Sequence, residues 1–165
     1  RLEGTGRVAK DDAVALGLVG IAAKASGLRR DVRLNHPCQK YPSYNAVIVE
    51  DDGDVFARAH VRRREIYASI DYLRQLLIDL PPGEIRNDVG PLRSSSLTVS
   101  LVEGWRGEIV HVAITDPSGH FARYKIVDPS FHNWSGLAMA LRDEQISDFP
   151  LCNKSFNLSY CGFDL

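Results

Sequence analysis

Between Asp54 and Leu80 the apolar positions Phe56, Ala59, Ile66, Ile70, Leu73, Leu77 and Leu80, with Arg63 among them, recur at alternating spacings of three and four. That is the seam of a helix that packs lengthwise on another. Only Arg63 interrupts it. Asp54 stands where an N-cap acceptor is needed, and Pro81-Pro82-Gly83 stops the run. At 1.5 Å per residue such a helix is roughly 40 Å long, about the longest dimension of a domain this size. It needs a partner of similar length, and the sequence supplies none. Two readings follow: a segment beyond these residues or another subunit covers the seam, or the hairpin and short helices of the chain itself do.

A second stretch, Glu103 to Asn133, reads as a β-hairpin. Ile109 to Thr115 and Phe121 to Val127 are β-branched or aromatic runs, and Asp116-Pro117-Ser118-Gly119 between them suits a type I turn. Val110, Val112 and Ile114 fall on one face, with Ala122, Tyr124 and Ile126 as expected counterparts, and one side of the hairpin is expected to be buried. Its closure brings Trp105-Arg106-Gly107-Glu108 close to Pro129-Ser130-Phe131-His132-Asn133, so Arg106, Glu108 and His132 are expected near one another.

Around these two features the remaining segments are shorter. Arg1 to Lys10 is Gly-rich and reads as a loop or short strand. Asp11 or Asp12 caps a helix to about Ser26, with Gly27 at its C′ position; its apolar residues surround the axis, so it belongs to a core. Leu28 to Asp52 reads as charged loop with a short strand at Ala46 to Val49, Glu84 to Ser96 as a polar linker, and Leu97 to Val102 as a strand. Trp134 to about Ile146 is a short amphipathic helix with Asn133 as its cap. The nearly uncharged tail, Ser147 to Leu165, is expected to tuck inside. The fold class is α+β: one long helix and shorter helices packed with a β-hairpin. The 165 residues are expected to form a single domain with a helical part at about 1–82, a linker at 83–96 and a hairpin with C-terminal helix and tail at 97–165.

A formal net charge of −1 argues against a polyanion partner, and Arg62-Arg63-Arg64 reads as a solvated helix face; no nucleic-acid role is expected. Cys38, Cys152 and Cys161 form no CxxC spacing and leave one unpaired, so neither a disulfide framework nor a zinc site is signalled, and a reducing compartment fits. No apolar run approaches the ~18 residues that span a bilayer, and no signal peptide is visible. The first residue is Arg1, and the expectation is a piece of a longer chain.

Taken in order, these segments resemble the C-terminal part of a nickel-iron hydrogenase large subunit. The likeness is greatest to the membrane-bound branch that holds the formate hydrogenlyase large subunit and the quinone-site subunit of respiratory complex I, the NADH-quinone oxidoreductase. Gly4 to Arg33 resembles the family pattern GTGxVxxxxAxxxGLxGxxxxASGxxxDxR. Gly53, Asp54, Val55, Arg58, Val61, Arg62 and Glu65 match GDVxxRxxVRxxE. Glu103, Arg106, Gly107 and Glu108 match EAPRGE, and Pro129 to Asn133 match PSFHN.

The resemblance implies a large subunit that receives electrons from an iron-sulfur cluster in a neighbouring subunit and passes them to quinone or a related acceptor. It would lie in the cytoplasm, peripheral to the inner face of the membrane, with other subunits of a respiratory or hydrogenase-like complex as partners. The arginine of EAPRGE overhangs the metal centre in such hydrogenases, a role that falls to Arg106, with Asn157 and Ser159 as further cavity lining. Catalytic hydrogenases end near a DPCxxC motif whose thiolates hold nickel; here Ser159 and Gly162 stand at those positions. No nickel-iron centre, and no cofactor held by this domain alone, is therefore expected. A metal-free scaffold subunit is the alternative.

Each site residue also has a plainer reading. Arg106 is either a cavity residue or an arginine bridging the hairpin ends to Glu108. His132 either relays protons, its ordinary pKa near 6.5 permitting both states, or starts a helix while hydrogen-bonded to backbone. Asp31 and Arg33 are read as an ion pair holding their loop. The cysteines, Tyr160 and Phe163 are read as core.

Overall fold

The computed structural model describes residues 1–37, 47–78 and 80–163. Its elements run α1 (Lys10–Ala15), α2 (Gly20–Ala25), α3 (Val32–Asn35), α4 (Val55–Ile78), β1 (Leu97–Gly104), β2 (Gly107–Thr115), β3 (Phe121–Val127), α5 (Pro129–Ala140), α6 (Phe149–Phe156) and α7 (Tyr160–Phe163), with a single 3₁₀ turn before α6. The α+β class holds, with a three-stranded antiparallel sheet of order β1-β2-β3.

Where one helix is expected from Asp11 to Ser26, there are two. Gly17 takes a left-handed φ of 66° and ends the first, whose flanking cap is Ala9 while Asp11 and Asp12 occupy its first turn. The second is buried along its whole length, and Gly27 follows it with φ 83°, as a C′ residue should. Residues 47–50 are irregular rather than strand, and Ala46 lies outside the described residues. Asp54 caps α4: one carboxylate oxygen accepts from the Ala57 N–H at 2.7 Å, the other from Gly4 N–H at 2.7 Å.

The α4 helix buries Val55, Ala57, Arg58 and Val61. Its expected seam does not lie on that face. Phe56, Ile66, Ile70, Leu73 and Leu77 are all exposed, so no described element of this chain covers them. The buried face instead meets α2 and α6, where Val8, Leu18, Ala23, Leu137, Cys152 and Phe156 form the main core.

The sheet also departs from expectation. Val110, Val112 and Ile114 pair with Val127, Lys125 and Arg123, while Tyr124 and Ile126 lie opposite Ala113 and His111. The turn is longer than a tight one: Asp116 Oδ1 accepts from Ser118 and His120 N–H groups, and a register irregularity falls at Ile114 and Thr115. Neither face is buried, with Val99, Val102, Phe121 and Tyr124 each at least half exposed. The helices meet the sheet through α2, α3 and α5. After β3, α5 begins at Pro129 rather than Trp134; its cap is Asp128, whose side chain accepts from Ser130 N–H at 2.8 Å. PSFHN is thus the first turn of a helix.

The tail is tucked in at Cys152, Ser155, Phe156 and Leu158, but Phe149 and Tyr160 are exposed. Tyr160 is therefore not core; it rests against the Trp134 ring at 5.2 Å. Cys161 is exposed, and Cys38 and the side chain of Phe163 lie outside the described residues.

Candidate functional site

Gly104 pairs with Gly107, so Trp105 and Arg106 alone make the β1–β2 turn. The start of α2 presses directly on it. A Cβ on Gly20 would sit 2.2 Å from the Arg106 carbonyl oxygen, and one on Gly107 would sit 2.7 Å from the Gly20 nitrogen. Both residues also have positive φ, 59° and 133°, where a side chain is strained. Asn133, 2% exposed, clamps this junction. Its amide oxygen accepts from Val19 N–H at 3.0 Å, and its NH₂ group donates to the carbonyls of Val19 at 3.2 Å and Arg106 at 3.4 Å.

With its backbone fixed in this way, Arg106 extends its side chain to the tail. Nε donates to the backbone carbonyl of Asn157. Asn157 ends α6 in the left-handed region, φ 54°, a conformation asparagine tolerates better than most residues, and its carbonyl thereby faces the arginine. Two residues on, Ser159 N–H donates to Ser130 Oγ at 2.9 Å and Ser159 Oγ accepts from Gly162 N–H at 3.0 Å. Arg106 and Asn157 are thus in contact, while Ser159 follows against Ser130 and the start of α7.

The other expected neighbours are placed elsewhere. Glu108 faces Arg30, 3.5 Å away, so Arg106 bridges to a backbone carbonyl and not to that carboxylate. His132 is half-buried in the first turn of α5, edge-on to Phe131 with ring centroids 5.7 Å apart. Within PSFHN it is Asn133, expected only as a helix cap, that reaches Arg106.

The resemblance to nickel-iron enzymes can be tested on the tail. A Cβ on Gly162 would lie 2.4 Å from the Asp128 carboxyl carbon, the same carboxylate that caps α5. A cysteine there would have to displace that carboxylate. Ser159, at the other thiolate position, spends its hydroxyl on capping α7. These residues do not match a thiolate-held metal.

A second polar centre is not evident from the sequence as a unit. Lys24 is 1% exposed, and its ammonium meets Glu65 at 2.6 Å, Asp31 at 3.0 Å and Glu103 at 3.3 Å. Arg33 holds Asp31 from the other side at 2.7 Å, which is the expected loop-holding pair. Burial disfavours the charge on Lys24, but Glu65, Glu103 and Asp31 outweigh it and push its pKa up to about 12. For Asp31, burial is likewise overcome, by Arg33 and Lys24, and the pKa falls. Glu103 goes the other way: burial, with Asp31 adding repulsion, raises its pKa despite Lys24. A lone lysine within Ala22-Ala23-Lys24-Ala25 is the visible signal. Its partners, 41 and 79 residues away, are not visible as such, although Glu65 and Glu103 both belong to quoted motifs.

Of the three arginines read as a solvated face, Arg63 and Arg64 are exposed. Arg62 turns inward, donates to the Ser155 carbonyl at 2.9 Å and stacks over the Trp105 ring at 5.7 Å. One turn earlier, Arg58 is fully buried and donates to Ser155 Oγ and the carbonyls of Gly53 and Gly6 at 2.7–2.8 Å.

Comparison with known proteins bears on this arrangement. The family described as respiratory-chain NADH dehydrogenase, 49 Kd subunit, matches residues 1–96 and again 90–164. The chain belongs to this family. The two matches of the 49 Kd subunit family meet at 90–96, in the exposed stretch between α4 and β1. A carbon monoxide-induced hydrogenase of Rhodospirillum rubrum is 32% identical over 158 residues, covering 95% of this chain and 44% of the relative. A subunit of the NADH-quinone oxidoreductase of Chloroherpeton thalassium is 32% identical over 90% of this chain and 40% of its own length. Formate hydrogenlyase subunit 5 of Escherichia coli is 28% identical over 99% of this chain and 29% of its own.

A chain of the membrane-bound sulfane sulfur reductase, an archaeal respiratory membrane complex, superposes with a TM-score of 0.91. That match has 26% identity and covers all of this chain and 47% of the other. The chain therefore spans less than half of these relatives. Among the described residues, no helix is long and apolar enough to cross a membrane.

Proposed function

We propose that this chain supplies the Arg106-bearing wall of an acceptor cavity in the large subunit of a membrane-associated, hydrogenase-like or complex I-like oxidoreductase. In that subunit, electrons arrive from an iron-sulfur partner and leave on quinone or a related acceptor, at the inner face of the membrane. Arg106 carries the reading. Its Nε is anchored on Asn157, and its terminal nitrogens have no acceptor among the described residues. An anchored guanidinium keeps its charge and offers a rigid fork of donors, suited to an acceptor oxygen that gains negative charge as electrons arrive.

A second reading, a metal-free scaffold subunit, is favoured by the tail, where Ser159 and Gly162 stand at the thiolate positions and the Asp128 carboxylate lies against Gly162. The two readings separate in the assembled complex. With Arg106→Ala, the cavity reading expects quinone-dependent turnover to fall at least about tenfold with subunit composition intact. The scaffold reading expects no quinone turnover in the parent complex, or turnover that survives the substitution. The chain by itself is expected to be inactive.

A further inference from the structure

Two guanidiniums meet at the C-terminal end of α6. Arg62 donates to the Ser155 carbonyl at 2.9 Å, and Arg106 Nε donates to the carbonyl of Asn157. Trp105, beside Arg106 in the chain, lies under the Arg62 guanidinium, with Cζ 5.7 Å from the ring centroid. We propose that Arg62 and Arg106 together form an oxyanion site, and that the acceptor received there carries a carboxylate, sulfonate or phosphate group before any electron reaches it. The proposal rests on reading Arg106 as part of an acceptor wall; it adds Arg62 as a second arm and narrows the acceptor's chemistry.

Three observations support it. First, donors are in surplus. One backbone carbonyl engages a single nitrogen of each guanidinium; the terminal nitrogens of Arg106 have no acceptor among the described residues, and Arg62 Nε is buried without one. Buried donors are ordinarily bonded, so Arg62 has given up solvation for little return. Second, charge is left over. Lys24, Arg33 and Arg62 balance Asp31, Glu65 and Glu103, and Glu108 faces Arg30. Arg106 therefore has no carboxylate partner among the described residues. Arg62 responds to it: burial lowers the Arg62 pKa, Arg106 adds repulsion, and Glu65 does not make up the difference. An oxyanion between the two forks reverses both effects, which an uncharged carbonyl does far less well. Third, both arms are held in place. The Gly20–Gly107 contact and Asn133 fix the backbone of Arg106, and Trp105 fixes the plane of Arg62. Planar forks positioned in advance lose little freedom on binding.

Arginine modification in the assembled complex tests this. Phenylglyoxal labels accessible guanidiniums, and peptide mass spectrometry reads each position separately, with exposed Arg29 and Arg63 as internal controls. Sodium sulfate, exchanged for sodium chloride at constant ionic strength, should at saturation slow labelling of both Arg62 and Arg106 about tenfold and leave the controls unchanged. Arg106→Gln should raise the sulfate concentration that half-protects Arg62 about tenfold. If that variant does not assemble, the parent complex decides alone.

Equal slowing at the controls, protection of Arg106 without Arg62, or failure of the reagent to reach either arginine overturns the proposal. Decylubiquinone, an uncharged acceptor, separates it from the reading beneath it. If decylubiquinone protects Arg106 and sulfate does not, the oxyanion assignment fails and the acceptor wall stands. If neither protects, both fail.

Discussion

Asp31 and Glu103 share one lysine that lowers the pKa of both, yet their net shifts are opposite. Arg33 joins Lys24 in overcoming the burial of Asp31, whereas burial, with Asp31 adding repulsion, leaves Glu103 raised. Neutralising them should therefore have unequal consequences. Asp31→Asn is expected to destabilise the fold by roughly 2–4 kcal/mol, since it leaves buried cations short of a partner, whereas Glu103→Gln is expected to cost under about 1 kcal/mol; chemical denaturation of the two variants checks the order. Lys24→Met takes a buried cation away from three carboxylates, of which Asp31 keeps Arg33, and should cost about 3–5 kcal/mol. The pH dependence follows the same groups. Lys24 is raised from 10.5 to about 12, so its contribution is complete below 10.5 and disappears as pH climbs through 12. Asp31 is lowered from 3.8, so its contribution is present above 3.8 and lost as pH falls through the depressed value. Stability against pH should show both limbs, and Lys24→Met should flatten the alkaline one.

At the scale of elements, the Gly20–Gly107 contact decides where Arg106 points. Gly107→Ala must push the β1–β2 turn away from α2, and about 2–4 kcal/mol of destabilisation is expected from strain and lost packing. Thermal unfolding measures the cost, and loss of quinone turnover in the assembled complex would report that Arg106 has moved. Much at this scale is legible in the sequence. Asp54 capping, the extent of α4, all three strands and the α+β class follow from periodicity and turn chemistry. The break in the first helix is not, because Gly17 is tolerable within a helical pattern and only its left-handed backbone separates α1 from α2. The β2–β3 register differs from expectation because the Asp116 side chain organises a wider turn than the Pro-Gly pattern implies. PSFHN reads as preceding its helix, since Pro129 marks a break as readily as a first turn.

In the whole molecule, the apolar seam of α4 and both faces of the sheet stay open, while the buried core lies at the opposite end of α4. The seam is plain from spacing. Its lack of cover is not, because the other face of the same helix buries Arg58 and half-buries Arg62 through hydrogen bonds no hydrophobic pattern reveals. Arg106, Asn157 and Ser159 are candidates through motif resemblance alone; the same resemblance marks Asn133, but its contacts with Val19 and the Arg106 carbonyl are not visible there. Leu73→Asp on the exposed seam should change the stability of this chain by under about 1 kcal/mol, which chemical denaturation measures. The central claim concerns the tail: a hydrogenase-type scaffold persists while the sulfur positions that would grip a metal are gone. Nickel content of the assembled complex, purified from cells grown with ample nickel, tests it most directly. Far less than one nickel per large subunit is the predicted result, and one nickel per large subunit would contradict it.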